Sequence, residues 1–175
     1  MENNIVISFI IPAHNSEKFL KRCVESVVKE EKQPKDNNLA EVIIIENGSS
    51  DHTKQIGTAL AEKYENVFLI CSEKGVSNAR NAGVKAAHGE WIFFLDADDY
   101  LPAGTLQKLL DTVNSGKAAD LYIFSYEKGN AIVNVATGEN ADGYEGTGVR
   151  ECLAGMLRNP TRCMAVWGKM FRHSI

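Results

Sequence analysis

The chain lacks a membrane-spanning segment: the apolar run Ile5 to Ile11 falls far short of the roughly 18 residues a bilayer helix needs. The opening Met-Glu-Asn-Asn lacks the basic stretch of a secretory signal. Both absences predict a cytoplasmic chain, with peripheral attachment to the inner face of a membrane left to a longer parent protein. Cysteine is sparse: Cys23, Cys71, Cys152 and Cys163 are widely spaced with no C-x-x-C pair, so they read as reduced core thiols. No basic block with interleaved aromatics occurs, and a net charge of −4 is small and mixed in sign, which argues against a nucleic-acid partner. Internal repeats and low-complexity stretches are also missing. What remains is an ordinary globular composition, 44% hydrophobic and 24% charged over 175 residues, enough for one domain with a real core.

Strand and helix signals alternate along it. Ile5 to Ile11 is a β-branched apolar run ended by Pro12, a buried strand. Asn15 or Ser16 then caps a helix whose apolar stripe is Phe19, Leu20, Cys23, Val24, Val27 and Val28. Gln33 to Asn38 is a loop, and Val42 to Ile45 a second strand. Asp51 caps a helix turning Ile56, Ala59, Leu60 and Tyr64 inward, and Val67 to Cys71 is a third strand. Gly75 to Ala87, rich in small residues, suits a helix lying close to a sheet. Trp91 to Leu95 is the fourth strand. Leu106, Leu109, Leu110 and Val113 mark a helix starting near Pro102, and Leu121 to Phe124 fits a fifth strand. Gly129 to Gly148 reads as an exposed hairpin or loop before an amphipathic helix near Val149 to Leu157. The alternation predicts an α/β fold with a mostly parallel central sheet flanked by helices.

In such sheets ligands bind beyond the carboxyl ends of the strands. Each strand here runs into a polar cluster: His14-Asn15, Glu46-Asn47-Gly48-Ser49, Glu73-Lys74-Gly75 and Asp96-Ala97-Asp98-Asp99. One such cluster alone is most often a helix cap. Four of them are expected to converge on one edge. Asp96 and Asp98 are two apart after a buried strand, so an extended backbone would project both carboxylates to one side. Two anions with no nearby histidine or cysteine suit Mg²⁺ or Mn²⁺, completed by substrate phosphates. Helix capping by Asp98 or Asp99 is the simpler alternative, and a calcium loop a third. The last is opposed by Leu101 and Gln107 where an EF-hand needs glycine and glutamate.

Four segments carry a resemblance: Ser8-Phe9-Ile10-Ile11-Pro12-Ala13-His14-Asn15-Ser16-Glu17, Ile45-Glu46-Asn47-Gly48-Ser49-Ser50-Asp51, Gly75-Val76-Ser77-Asn78-Ala79-Arg80-Asn81-Ala82-Gly83 and Phe94-Leu95-Asp96-Ala97-Asp98-Asp99-Tyr100-Leu101. In order and spacing they resemble family-two inverting glycosyltransferases with the Rossmann-like GT-A fold. The similarity is close over residues 1–110, and the Trp167-Gly168-Lys169 segment adds a W-x-K feature from the acceptor side.

The resemblance implies a donor site for a nucleotide sugar. Pro12, Ala13, His14 and Asn15 would meet the nucleotide, with His14 where the family usually has a tyrosine on the base. Glu46 and Asn47 replace the two aspartates of Asp-Asp-Gly-Ser, with Gly48 and Ser49 following, toward base or ribose. Gly75, Asn78, Arg80 and Asn81 form the third contact, Arg80 matching an arginine that holds the nucleotide. Asp96, Ala97 and Asp98 match the DXD motif, with Asp96, Asp98 and Asp99 implied as ligands of a divalent metal, Mn²⁺ or Mg²⁺, that assists diphosphate departure. Trp167 and Lys169 would face the acceptor. UDP is the default donor nucleotide, GDP and dTDP remaining open, and the acceptor a glycan or lipid-linked hydroxyl in cell-envelope polysaccharide synthesis.

Inversion needs a carboxylate base, which in the family follows the W-x-K segment. It is expected beyond Ile175, making residues 1–175 a single domain cut short on its acceptor side: residues 1–110 the donor half, 111–175 part of the other. Two alternatives stay open: a phosphotransferase of the haloacid dehalogenase type, opposed by Tyr100 where its motif wants Thr or Val, and a non-catalytic nucleotide-sugar-binding module.

Overall fold

The computed structural model describes residues 5–29, 39–115, 120–123 and 168–174. The elements run β1 (Ile7–Ala13), α1 (Leu20–Val28), β2 (Ala40–Glu46), α2 (Thr53–Lys63), β3 (Val67–Cys71), α3 (Val76–Ala86), β4 (Trp91–Phe94), α4 (Thr105–Asn114), β5 (Leu121–Ile123) and β6 (Lys169–Arg172). They build a six-stranded sheet in the order β3-β2-β1-β4-β6-β5. β1 pairs in parallel with β2 and β4, β2 with β3, while β6 runs antiparallel between β4 and β5. The strand order reverses between β1 and β4, the place where a crevice opens in a doubly wound sheet.

Alternation along the strands sorts the core into two layers. Phe9, Ile11, Val42 and Ile44 pack toward α1, α2 and α4, whereas Ile10, Ile43 and Ile45 pack toward α3. The small residues of α3 serve close approach: a Cβ added at Gly83 would collide with the side chain of Ile10. Fully buried Glu41 accepts from Ser8 Oγ (2.6 Å), His88 N (2.6 Å) and His88 Nδ1 (3.1 Å), tying the end of α3 to the first two strands.

Several elements differ from the sequence reading. β1 does not stop at Pro12 but continues to Ala13. Ile10 O bonds toward β4 and Ala13 O toward β2, so the Pro12 nitrogen faces the β4 side, where that strand's pairing has already ended; no ladder bond is lost. Neither Asn15 nor Ser16 caps α1 with its side chain: the Ser16 carbonyl accepts from Phe19 N and Leu20 N instead. Phe19 precedes the helix and stands exposed. Asp51 does receive Thr53 N (2.9 Å) at the start of α2, but Ala59 is exposed and Gly57 takes the inward place, against Leu69. β6 carried no readable period, since four residues with charges at both ends cannot display one. Cys23 is buried as expected, but Cys71 is exposed at the end of edge strand β3. Cys152, Cys163, the loops over 33–38 and 129–148 and the helix over 149–157 lie outside the described residues. Among the described residues no helix is long and apolar enough to cross a membrane.

Glu25 links α1 to α2, pairing with Lys29 (2.9 Å) and Lys63 (3.4 Å) and accepting from Tyr64 Oη (3.1 Å). The Lys29 contact first, then Tyr64 and Lys63, outweigh desolvation and bring its pKa down to about 2 from 4.5. A carboxyl depressed on folding leaves the unfolded state binding more protons between those values, so stability rises with pH there. Its contribution is full above pH 4.5 and is lost as pH falls toward about 2. In acid titrations followed by circular dichroism, Glu25→Gln is expected to flatten that limb.

Candidate functional site

The carboxyl ends of β1, β2 and β3 are laced together through Asn47, which is nearly buried. Its Nδ2 donates to Ser72 Oγ (2.8 Å), Glu73 O (2.7 Å) and Gly75 O (3.2 Å), and its Oδ1 accepts from Gly75 N (3.0 Å). Its carbonyl faces His14 Nδ1 at 2.9 Å. A carbonyl only accepts, so a neutral His14 carries its proton on Nδ1 and leaves Nε2 as an acceptor. Asn15, at φ 50°, receives Ser50 N on its Oδ1 (2.9 Å), while its own amide donates to Ser49 Oγ (3.1 Å). These bonds explain why Asn15 does not cap α1: its side chain joins the β1 loop to the β2 loop. Glu46 curls back to accept from Ser49 N (2.5 Å). Burial works to raise its pKa, but the amides of Ser49 and Gly48 and the Ser49 hydroxyl prevail and hold it below the usual value.

At the end of β4 the backbone does not stay extended. Asp99 N donates to Asp96 O (3.0 Å), closing a turn. Asp96 and Asp98 nevertheless line one cleft of about 330 Å³ with Pro12, Ala13, His14, Asn15, Asn47 and Ala97. Three further residues, Ser16, Phe19 and Val76, line it without any sequence signal for that role. Phe19 and Val76 are large exposed apolar side chains, and that anomaly was visible only once their burial was known. Asp99, Glu46, Gly48, Ser49, Gly75, Asn78, Arg80 and Asn81 do not line the cleft. Gly75 (φ 132°) supplies the bend into α3, and Asn78 donates to Lys74 O (3.2 Å). Asn81 is exposed on α3. Trp167 lies outside the described residues. Lys169 is buried in β6, and the register sets it level with Phe94, two residues before Asp96. A larger cavity, about 830 Å³, lies at the β3 edge around Phe68, Lys85 and His88, away from these clusters.

Burial pushes the Asp96 carboxyl above the ordinary range; Arg80, 3.6 Å away, opposes the shift and Asp98 adds to it. Burial likewise raises Asp99, helped by Asp98 and Asp96 and opposed by Arg22. The Cys23 thiol is pushed well up by burial and by the three aspartates, which makes it an inert core thiol. Arg80 Nε is buried without a partner, the only such side-chain nitrogen or oxygen among the described residues. The site therefore holds excess negative charge on one wall and an unspent guanidinium donor behind it. Among the described residues no three His, Cys, Asp or Glu side chains group closely enough to hold an ion by themselves.

A sheet reversing at β1/β4, with an acidic pair after β4 and polar loops gathered around it, defines a Rossmann-like α/β domain of the GT-A type. The chain belongs to glycosyl transferase family 2, whose profile it matches over residues 8–171. It is 28% identical over 97% of its length to the putative glycosyltransferase EpsH of Bacillus subtilis, of which it spans 47%. Its fold resembles that of S. aureus TarS solved with UDP (TM-score 0.67, 22% identity, 97% of this chain and 47% of that one). It also resembles a mannosyltransferase from Pyrobaculum calidifontis solved with GDP-Man and Mn²⁺ (TM-score 0.57, 22% identity, 71% and 36%). The family leaves no place for the phosphotransferase alternative.

Proposed function

We propose that the cleft binds the nucleoside diphosphate of a sugar donor and that the protein transfers that sugar, with inversion, to a hydroxyl of a glycan or lipid-linked acceptor. The observation that carries the reading is that Asp96 and Asp98 line the same cleft as His14, Asn15 and Asn47. The UDP-bound and GDP-Man-bound relatives of the same fold support it.

The donor set fits a divalent cation: two hard carboxylates beside an open face, short of a full ligand shell and so suited to completion by phosphate oxygens. Asp96 and Asp98 would hold Mn²⁺ or Mg²⁺, which when bound neutralises charge on the departing diphosphate. Arg80 lies against Asp96 from outside the cleft lining, and its guanidinium offsets part of the negative charge there. His14, fixed through Nδ1 by the Asn47 carbonyl, presents its ring to the base. Glu46 spends one carboxylate oxygen on Ser49 and thereby shapes the turn that follows β2. Asp96 and Asp98 are committed to the donor in this scheme, and the base that deprotonates the acceptor is a different group.

A panel of UDP-, GDP- and dTDP-sugars tested by thermal shift with Mn²⁺ examines the reading. UDP-sugars are expected to raise Tm most, and a panel without any shift would refute a donor site.

A further inference from the structure

The acidic loop is gripped from outside the cleft by one side of α1. Arg22 Nη2 donates to the carbonyl of Asp98 (2.7 Å). Cys23 Sγ meets the carbonyl of Asp96 (3.5 Å), and Ser26 Oγ accepts from Leu101 N (2.9 Å). Positions 22, 23 and 26 share a helix side, so α1 acts as a rail along the backbone from Asp96 to Leu101. Arg22 does more than donate. Its guanidinium sits 4.7 Å from the Tyr100 ring centroid and 5.8 Å from that of Phe19, a stacked position between the loop and the start of α1.

The geometry sorts three neighbouring carboxylates. Asp96 and Asp98 line the cleft, whereas Asp99 does not. Like charges this close repel, and the Asp99 N to Asp96 O bond holds the turn against a different arrangement. Arg22 fixes the peptide that follows Asp98 and places a positive charge beside the acidic loop. Arg22 is exposed and is not among the residues that line the cleft.

We propose that Arg22 is a positioning residue for metal-assisted donor binding: by holding the Asp98 carbonyl and stacking on Tyr100, it keeps the Asp98 carboxylate turned to the cleft beside Asp96. This rests on the donor-site reading above. The test is calorimetric titration of the chain with UDP, with and without Mn²⁺, for the wild type, Arg22→Ala and Arg22→Lys, alongside Tm.

Arg22→Ala is expected to weaken UDP binding in Mn²⁺ about tenfold, the scale on which partners of ligating groups act. Metal-free affinity is expected to stay within about twofold, because His14, Asn15 and Asn47 are untouched. Arg22→Lys, which retains a donor and a charge but loses the planar stack on Tyr100, is expected to recover only part of the loss. Ser26→Ala releases the other end of the same loop and carries the same expectation, should Arg22→Ala fail to fold. Equal loss with and without Mn²⁺, or no loss at all, overturns the proposal. Metal-independent UDP binding by the wild type overturns the donor-site reading itself, before any variant is compared.

Discussion

Asp98→Ala is expected to lower UDP affinity in the presence of Mn²⁺ by about 100-fold while leaving Tm nearly unchanged. Asp98 is exposed, so its truncation removes no core contact, and surface changes of that kind stay within about 0.5 kcal/mol. In the cleft it is one of two carboxylates available to a cation, and losing a charged ligand of this kind costs about 3 kcal/mol, hence the two decades. Asp98→Asn keeps an oxygen without the charge and is expected to fall between. Asp99→Ala is the informative contrast: Asp99 does not line the cleft, and its removal is expected to change UDP affinity by less than about threefold. Calorimetric titration of the three variants checks this. Equal losses for Asp98→Ala and Asp99→Ala would show that the three aspartates act as one undifferentiated cluster.

Asn47→Ala is expected to cost about 3 kcal/mol of stability, measured by urea unfolding, and to abolish donor binding in what remains folded. One side chain satisfies Ser72, Glu73 and Gly75, and its loss leaves the Gly75 amide without its acceptor and the Glu73 carbonyl with only the Ser72 hydroxyl as donor. Each buried group left unpaired costs about 1–3 kcal/mol, partly relieved by water where the loops open. The loops after β2 and β3 would then separate, and with them the wall that carries His14. Asn47→Asp is expected to be at least as damaging, since it sets an acceptor against the two carbonyls that Nδ2 now serves. A stable Asn47→Ala protein with intact UDP binding would mean that the lacing is incidental.

The parts of this fold that repeat locally were legible in the sequence. Apolar β-branched runs gave β1 to β4 within two residues, the Leu106-Leu109-Leu110 stripe gave α4, and the small residues before His88 gave a helix pressed on the sheet. Of the four polar clusters, those after β1, β2 and β4 supply residues to one cleft, while the one after β3 joins only through its bonds to Asn47. What escaped was set by partners distant in the chain. Asn15 looks like a cap in isolation, yet its side chain is claimed by Ser50, 35 residues on. Pro12 looks like a terminator, yet its nitrogen faces a strand that has ended. β6 is too short to show a period and is a strand only because β4 and β5 flank it. Asp96, Asp98 and Asp99 read as equivalent carboxylates; the turn between them, and Arg22 from a helix about 75 residues earlier, separate them.

The most direct test of the central claim, that this cleft holds a nucleoside diphosphate through Asp96 and Asp98, is a titration of the wild-type chain with UDP at fixed Mn²⁺ and again in EDTA. The account predicts saturable binding that weakens at least about tenfold when the metal is removed. Affinity unchanged by EDTA, or no binding in either buffer, would contradict it.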